Sequence, residues 1–288
     1  MVHNGGVHRW FFNTAQWNPS EHEFSFLLSV LPQHEQSAIT RFLRLDDRKR
    51  ALISRLLQYG LVHQVLGIPF EDIIINRTLE GKPYLENIVI DSELPNFNFN
   101  VSHHGDYVAI ASDSIHIVGV DIVSHVIPER ETTLEHVQNF SSYFTSLEWG
   151  KIMEAEISDE ILVELYRYWC LKEAFIKAIG AGLGYDLERL EFHHTNWTDI
   201  YCLIDGHKSE EWQFWLSELG EGHWVSVARG HPRFAVKNYW KTLHSAEVEE
   251  SAYHSNVQMP TNFIPQTIEQ LLPVSLRESY RILSNKIT

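Results

Sequence analysis

Apolar positions recur at helical spacing in a few long windows of this chain and alternate with polar ones in several short windows. The aromatic-rich stretch from Val7 to Trp17 predicts a strand. Ser20 with Glu23 makes a capping box for a helix running to about Val30, where Pro32 punctuates the chain. A stronger helix is predicted from about Asp47 to Leu66, with Leu52, Leu56, Tyr59 and His63 along one side and Gly67 and Pro69 closing it. Strand-like pieces follow at Asp72 to Arg77, Pro83 to Leu85, Phe97 to Ser102, Tyr107 to Ser112 and Ile115 to Val123. After Pro128 the order begins again. Thr145 and Glu148 form another capping box, and a longer helix covers about Asp159 to Ile179 before Gly180, Gly182 and Gly184. Strands are then predicted at Tyr185 to His194, Ile200 to Ile204, Glu211 to Leu216 and His223 to Ala228.

The halves share an element order without sequence repetition. This predicts an α+β protein of two similar halves, each with helices packed on small, mostly antiparallel sheets, at residues 1–118 and 119–240. From Lys241 the texture turns to Ser, Glu, Asn, Gln and Pro, so residues 241–288 read as a partly ordered extension. Its TIEQLL and LRESYRIL stretches predict short helices divided by Pro273.

Composition narrows the class. A chain of 288 residues, 44% of them hydrophobic, can bury a sizeable core. Asp and Glu total 38 against 23 Lys and Arg, a net charge of -15, which argues against unselective nucleic-acid binding. An anionic ligand would have to be gripped by a local concentration of cations. Cys170 and Cys202, both in apolar surroundings, suit neither a disulfide framework nor a four-thiolate zinc site, and make the cytosol the default compartment. No signal-peptide pattern and no apolar run of about eighteen residues is present, so neither secretion nor membrane insertion is expected.

Five constellations could carry chemistry. RFLRLDDRKRALISR concentrates Arg41, Arg44, Arg48, Lys49, Arg50 and Arg55 against Asp46 and Asp47: a solvated helix face or an anion site. In RTLEGKPYL, Arg77 and Lys82 bracket a Gly81-Pro83 turn that suits a phosphate but is equally ordinary turn chemistry. In FNFNVSHHGDYVAIA, Phe97, Phe99 and Val101 alternate with Asn98, Asn100 and Ser102 and lead into His103 and His104, whose adjacency disfavours joint chelation. IHIVGVDIV is a buried strand interrupted by Asp121, either salt-bridged or a hard-metal ligand beside a glycine that lets a substrate approach. In WCLKEAFIKAIGAGLGYDL, Glu173 and Lys177 share a helix face one turn apart, commonly a surface ion pair but here set among Trp169, Phe175, Ile176 and Ile179. Its glycines follow a helix rather than a strand, which removes a dinucleotide-binding reading. No nucleophile elbow or reactive-cysteine motif is found, which favours chemistry by carboxylates and a metal.

The ordered set GKPYL, FNVSHHGDY, VGVDIV and WCLKEAFIKAIGAGLGYDL resembles the 4'-phosphopantetheinyl transferase family of the large, pseudo-dimeric type. The likeness is greatest to its animal branch associated with aminoadipate-semialdehyde dehydrogenase and spans roughly Trp10 to Ala228. It implies transfer of the phosphopantetheine arm of coenzyme A to a serine of an apo carrier protein, releasing adenosine 3',5'-bisphosphate. It further implies Mg²⁺ held by Asp121 and Glu173, Glu173 as base toward the serine, and Lys177 on the diphosphate, these three being the catalytic set. Coenzyme A contacts are implied at Arg77, Thr78, Gly81, Lys82, Asn100, Val101, Ser102, His103 and Lys177. The partners implied are carrier domains of fatty acid synthase, a mitochondrial carrier and an aminoadipate-type reductase. The site between halves of one chain implies a monomer.

Three positions depart from the family pattern. Val123 stands where many relatives carry a second acid, and His104 where animal relatives offer Gln, so the third metal position falls to water or to His104. Ala38 replaces a basic residue, for which Arg41 or Arg44 substitutes. The missing acid motivates one rival, a catalytically silent coenzyme A or carrier-binding module, and the carboxylates alone would permit another, a Mg²⁺-dependent phosphodiesterase.

Overall fold

Two helices of 22 residues, one in each half, set the architecture of the computed structural model. It describes residues 6–87, 94–125, 132–155, 157–244, 248, 253 and 260–284. The N-terminal half runs β1 (His8–Asn13), α1 (Glu21–Ser29), α2 (Gln33–Thr40), α3 (Leu45–Leu66), β2 (Ile75–Arg77), β3 (Pro83–Leu85), β4 (Asn98–His104) and β5 (Tyr107–Asp113). The C-terminal half runs β6 (Ile117–Ser124), α4 (Thr133–Gln138), α5 (Ser146–Met153), α6 (Ser158–Ile179), β7 (Leu190–Thr195), β8 (Thr198–Ile204), β9 (His207–Lys208), β10 (Trp212–Gly220), β11 (His223–Gly230) and α7 (Lys237–Trp240). β12 (Ile264–Pro265), α8 (Ile268–Leu271) and α9 (Val274–Ser284) follow.

The expected α+β duplication is present. In the first half α3 packs on a sheet of order β12-β1-β5-β4, and in the second α6 packs on β10-β11-β6. Smaller sheets pair β2 with β3 and order β7-β8-β9. Both long helices end on a left-handed glycine, Gly67 (φ 69) and Gly180 (φ 74), as their C-terminal glycines predict. Thr145 and Glu148 close the full capping box on α5, whereas at α1 Ser20 caps the Glu23 N–H and the Glu23 carboxylate turns instead to Trp17 Nε1 and the Tyr280 hydroxyl. Polar α2 has no counterpart among the predicted helices, because only Glu35 and Ile39 of its eight residues are buried and no apolar period marks it. The restart expected at Pro128 lies outside the described residues.

Each half has its own core. Leu27, Ile39, Leu52, Leu56 and Tyr59 join Phe99 and Val108 in the first; Ile152, Leu165, Leu171 and Phe175 join Phe192 and Trp212 in the second. Between the halves, Ala109 and Ala111 of β5 meet Val118, Val120 and Ile122 of β6 and Val225 and Val227 of β11. The parity expected of β6 holds, with Val118, Val120 and Ile122 on this face and Ile117 and Val123 in the second core.

β6 is an edge strand whose open N–H groups face β4, also an edge. No backbone ladder joins them. Side chains of β4 accept the N–H groups instead: Asn98 Oδ1 from Val118 at 3.1 Å, Asn100 Oδ1 from Val120 at 2.9 Å, Ser102 Oγ from Ile122 at 3.3 Å and His104 Nδ1 from Ser124 at 3.2 Å. The alternation that reads as a half-solvated strand therefore has another cause. Asn98, Asn100 and Ser102 are buried and form a polar seam along the second half's edge.

Two boundaries differ from the expected ones. A division at 118/119 would cut β6, but all eight of its residues pair with β11, from Ile117↔Gly230 to Ser124↔His223, so the strand belongs whole to the second half. The residues described from 260 to 284 return to the first half. β12 pairs in parallel with β1, and Ile268, Leu271 and Leu272 are buried in its core. Gly60 makes room for them on α3, since a Cβ there would lie 2.9 Å from Leu271 O. TIEQLL and LRESYRIL do contribute helices, α8 and α9, and most of 245–259 lies outside the described residues.

Candidate active site between the halves

The site forms where α6 crosses β6. A Cβ on Gly119 would fall 2.1 Å from Ala174 O and 2.3 Å from Ala178 N, so the strand backbone lies directly against the helix. The glycine thus admits a helix, and not the substrate that the sequence suggested. This contact brings Asp121, two residues along β6, beside Glu173 and Lys177 on α6. Lys177 Nζ lies 2.5 Å from Asp121 Oδ1 and 2.8 Å from Ser102 Oγ. Asp121 Oδ2 and the Glu173 carboxylate make no hydrogen bond or ion pair among the described residues. The Glu173 carboxyl is pushed above the usual range, by burial first and then by the Asp121 charge, with Lys177 opposing.

A cleft of about 270 Å³ opens in front of these groups, lined among others by Arg77, Gly81, Asn100, Val101, Glu173 and Lys177. Asp121 sits behind Lys177 and does not line it. Arg77 lies at the rim, donating to Gly81 O at 2.9 Å, and its pKa is lowered by burial and by the neighbouring Arg55 guanidinium. Thr78 closes the turn, taking the Gly81 N–H on its carbonyl at 2.9 Å. The Lys82 stem borders the cleft, but its ammonium turns inward to Lys177 O at 2.6 Å and Val118 O at 2.9 Å, over the Tyr239 ring. Burial, and then the Lys177 charge, depress its pKa well below the ordinary lysine value. This inward lysine differs from the ligand-facing cation expected at 82.

His103 is exposed, and its pKa is lowered by partial burial and then by Lys177, Arg50 and His104. His104 commits Nδ1 to the Ser124 N–H, and burial lowers its pKa, so the neutral ring carries its proton on Nε2. Neither nitrogen then offers a free lone pair to a metal. Arg41 and Arg44 are exposed at the α2–α3 turn and do not line the cleft. Arg50, part of the basic cluster but not singled out for the site, donates to Gly105 O at 2.9 Å and lies near His103, outside the cleft lining. Glu80, Ile176, Gly180 and Gly182 also line the cleft unforeseen. The glycines had a signal, since they sit in the motif after α6; Glu80 had none beyond its place in the turn.

The donor set suits a hard cation. Two carboxylates converge, their mutual repulsion raising Glu173, and the other ligands would be water and phosphate oxygens. Among the described residues no group of three His, Cys, Asp or Glu gathers that could hold a metal by itself.

Comparison with known proteins places this geometry. Residues 15–115 match the family described as 4'-phosphopantetheinyl transferase, N-terminal, and residues 117–228 match the 4'-phosphopantetheinyl transferase superfamily. The chain is 38% identical over 232 residues to the L-aminoadipate-semialdehyde dehydrogenase-phosphopantetheinyl transferase of Mus musculus, covering 78% of this chain and 75% of that one. It is 34% identical over 258 residues to a phosphopantetheinyl transferase of a Thraustochytrium species, covering 85% and 87%. A solved structure, the holo-[acyl-carrier-protein] synthase of Thermotoga maritima, aligns over 41% of this chain and 64% of its own with a TM-score of 0.30 and 21% identity. These relatives give no support to a catalytically silent binding module. The chain belongs to the 4'-phosphopantetheinyl transferase superfamily and is an enzyme that transfers phosphopantetheine to carrier proteins.

Proposed function

We propose that this enzyme works with Mg²⁺ at Asp121 and Glu173, moving phosphopantetheine from coenzyme A to a serine of carrier domains of fatty acid synthase, a mitochondrial carrier and an aminoadipate-type reductase. The observation that carries this reading is that Glu173 and Lys177 line one cleft while Asp121, paired with Lys177 just behind its wall, faces the same two groups. Asp121 and Glu173 would hold the cation, with water in the third position because His104 is engaged with Ser124. The ion would neutralise charge on the diphosphate oxygens when bound.

The chain's own groups account for the remaining work. Glu173, beside the cleft, accepts the proton of the carrier serine directly or through a water. The serine oxygen then bonds to the phosphorus bearing pantetheine, and the bond to the departing phosphate breaks with its electron pair. Adenosine 3',5'-bisphosphate leaves carrying that negative charge. Two of the three Lys177 donors face Asp121 and Ser102, and the third is free for the diphosphate oxygens. Arg77 borders the cleft where a nucleotide phosphate would sit, and His103, outside the lining but near Lys177 and Arg50, would meet that phosphate from the end of β4. Arg41, Arg44 and Arg50 extend a basic seam toward an acidic carrier, against a net charge of -15 elsewhere on the chain. We further propose a cytosolic monomer, since one chain supplies both sides of the site.

The test is direct. Mixed with Mg²⁺, coenzyme A and an apo acyl carrier protein, the enzyme should raise the carrier's intact mass by one phosphopantetheine. No adduct without Mg²⁺ is expected, and transfer persisting in excess chelator would remove the metal from the scheme.

A further inference from the structure

Ser102 is 5% exposed and stands where the seam between the halves meets the catalytic groups. A serine hydroxyl has one proton to give and two lone pairs to receive. Its three neighbours use all of that capacity. Lys177 Nζ at 2.8 Å and the Ile122 N–H at 3.3 Å can only donate, so both fall on the oxygen's lone pairs. Asp121 Oδ1 at 3.1 Å, as a carboxylate, can only accept, so the hydroxyl proton points to it. A phosphate oxygen could be served only by taking that proton away from Asp121.

We infer that the Ser102 side chain is a positioning group, which aims Asp121 and Lys177 across the boundary between the halves, and that its hydroxyl is not a contact to coenzyme A. Its hydroxyl and Lys177 both bind Oδ1 of Asp121, which fixes the carboxylate's rotation and leaves Oδ2 turned away from them. The Ile122 N–H, one residue beyond Asp121, anchors the same hydroxyl to β6 backbone. Strand β4 thereby supplies from the first half a support for a carboxylate and a lysine that both belong to the second. Asn98 and Asn100 set the register of that support by the same step of two residues. This inference rests on the Mg²⁺-dependent reading above.

The experiment compares wild type, Ser102→Ala and Ser102→Thr in three measurements: coenzyme A binding by calorimetry without metal, Mg²⁺ binding by calorimetry without coenzyme A, and steady-state transfer. Ser102→Ala should bind coenzyme A within about twofold of wild type. It should bind Mg²⁺ about tenfold more weakly and lose about tenfold in kcat at unchanged KM for coenzyme A, the scale of one hydrogen bond to a charged group. Ser102→Thr, which keeps the hydroxyl, should restore both. A tenfold loss of coenzyme A binding with Mg²⁺ binding intact would overturn the inference in favour of a ligand contact. Equal losses in Ala and Thr variants that track a lowered melting temperature would also overturn it, leaving only a packing role. A wild type that binds both ligands yet transfers nothing would instead overturn the transferase reading, and the binding measurements would still decide Ser102.

Discussion

Gly119 and Ala174 meet backbone to backbone, with the position of a Cβ on the glycine only 2.1 Å from the Ala174 carbonyl oxygen. That contact holds β6 against α6 and sets Asp121 opposite Glu173. Gly119→Ala should therefore destabilise the protein by about 3 kcal/mol, the upper end for an overpacked site, because the atoms in the way are backbone that cannot rotate aside. Thermal unfolding measures the loss, and transfer by the surviving folded fraction should also fall as the carboxylates separate. A melting temperature within a degree of wild type would show that the helix can slide.

The catalytic carboxylates should differ in what they do for stability. Glu173→Gln and Asp121→Asn both keep side-chain volume. Glu173→Gln removes a charge from a repelling pair, so its melting temperature should hold or rise slightly. Asp121→Asn also takes away the ion-pair partner of Lys177, so its melting temperature should fall modestly. Carrier modification followed by intact mass should be abolished in both. Near-normal turnover in either variant removes that residue from the catalytic set.

Lys82 should behave as a structural residue. Its ammonium pairs with the carbonyls of Val118 and Lys177, one on each side of the β6–α6 contact. Lys82→Met should cost about 1–3 kcal/mol for each carbonyl left without a donor. Coenzyme A affinity, read by calorimetry on folded protein, should change less than in Arg77→Ala. The reverse order would return Lys82 to the ligand.

A second buried lysine makes a pH-dependent prediction. Lys172 and Glu148, both fully buried, pair at 2.8 Å, and Lys172 also donates to Leu187 O and Leu190 O at 2.8 and 2.5 Å. Burial raises the Glu148 carboxyl and the lysine opposes that rise. Lys172→Met removes the opposition, so the folded state holds the Glu148 proton more tightly than the unfolded state does. Stability then falls as pH rises above the unfolded carboxylate value of about 4.3. The deficit at pH 7 should reach about 3–5 kcal/mol and shrink toward pH 4. Denaturant midpoints at the two pH values give the comparison, and Lys172→Met with Glu148→Leu should recover much of the loss.

Removing residues 260–288 should unfold the first half. Ile268, Leu271 and Leu272 are almost completely buried in its core, and burying each such side chain contributes about 1.5–3 kcal/mol. Their sum is comparable with the whole stability of a domain. Truncation after Met259 should give insoluble protein or a melting temperature lower by ten degrees or more. A soluble, fully active truncation would show that the tail only rests on the surface.

Much of this molecule is legible in its sequence. The long helices announce themselves by apolar spacing and terminal glycines, and the association of Asp121 with the Glu173–Lys177 face is what the family resemblance implies. What escapes is whatever depends on elements distant along the chain. Asn98, Asn100 and Ser102 look like a solvated face because alternation cannot say what covers it, and only the fold shows β6 there. Lys82 reads as a ligand cation because its type is visible and its direction is not. The tail reads only as a partly ordered extension because its few apolar residues bury into a core built mostly from the other end of the chain.

The chain's return from α7 to the outer edge of the first sheet gives the two halves a second covalent path. Residues 114–116 make one link between them, and the stretch from Lys241 to Asn262 makes the other. A single cut in either would leave the halves at high effective concentration, tethered through the remaining link, whereas two separate chains would depend on their affinity alone. A catalytic centre assembled from both sides thereby keeps its two parts together even after one nick, and dilution cannot disperse it.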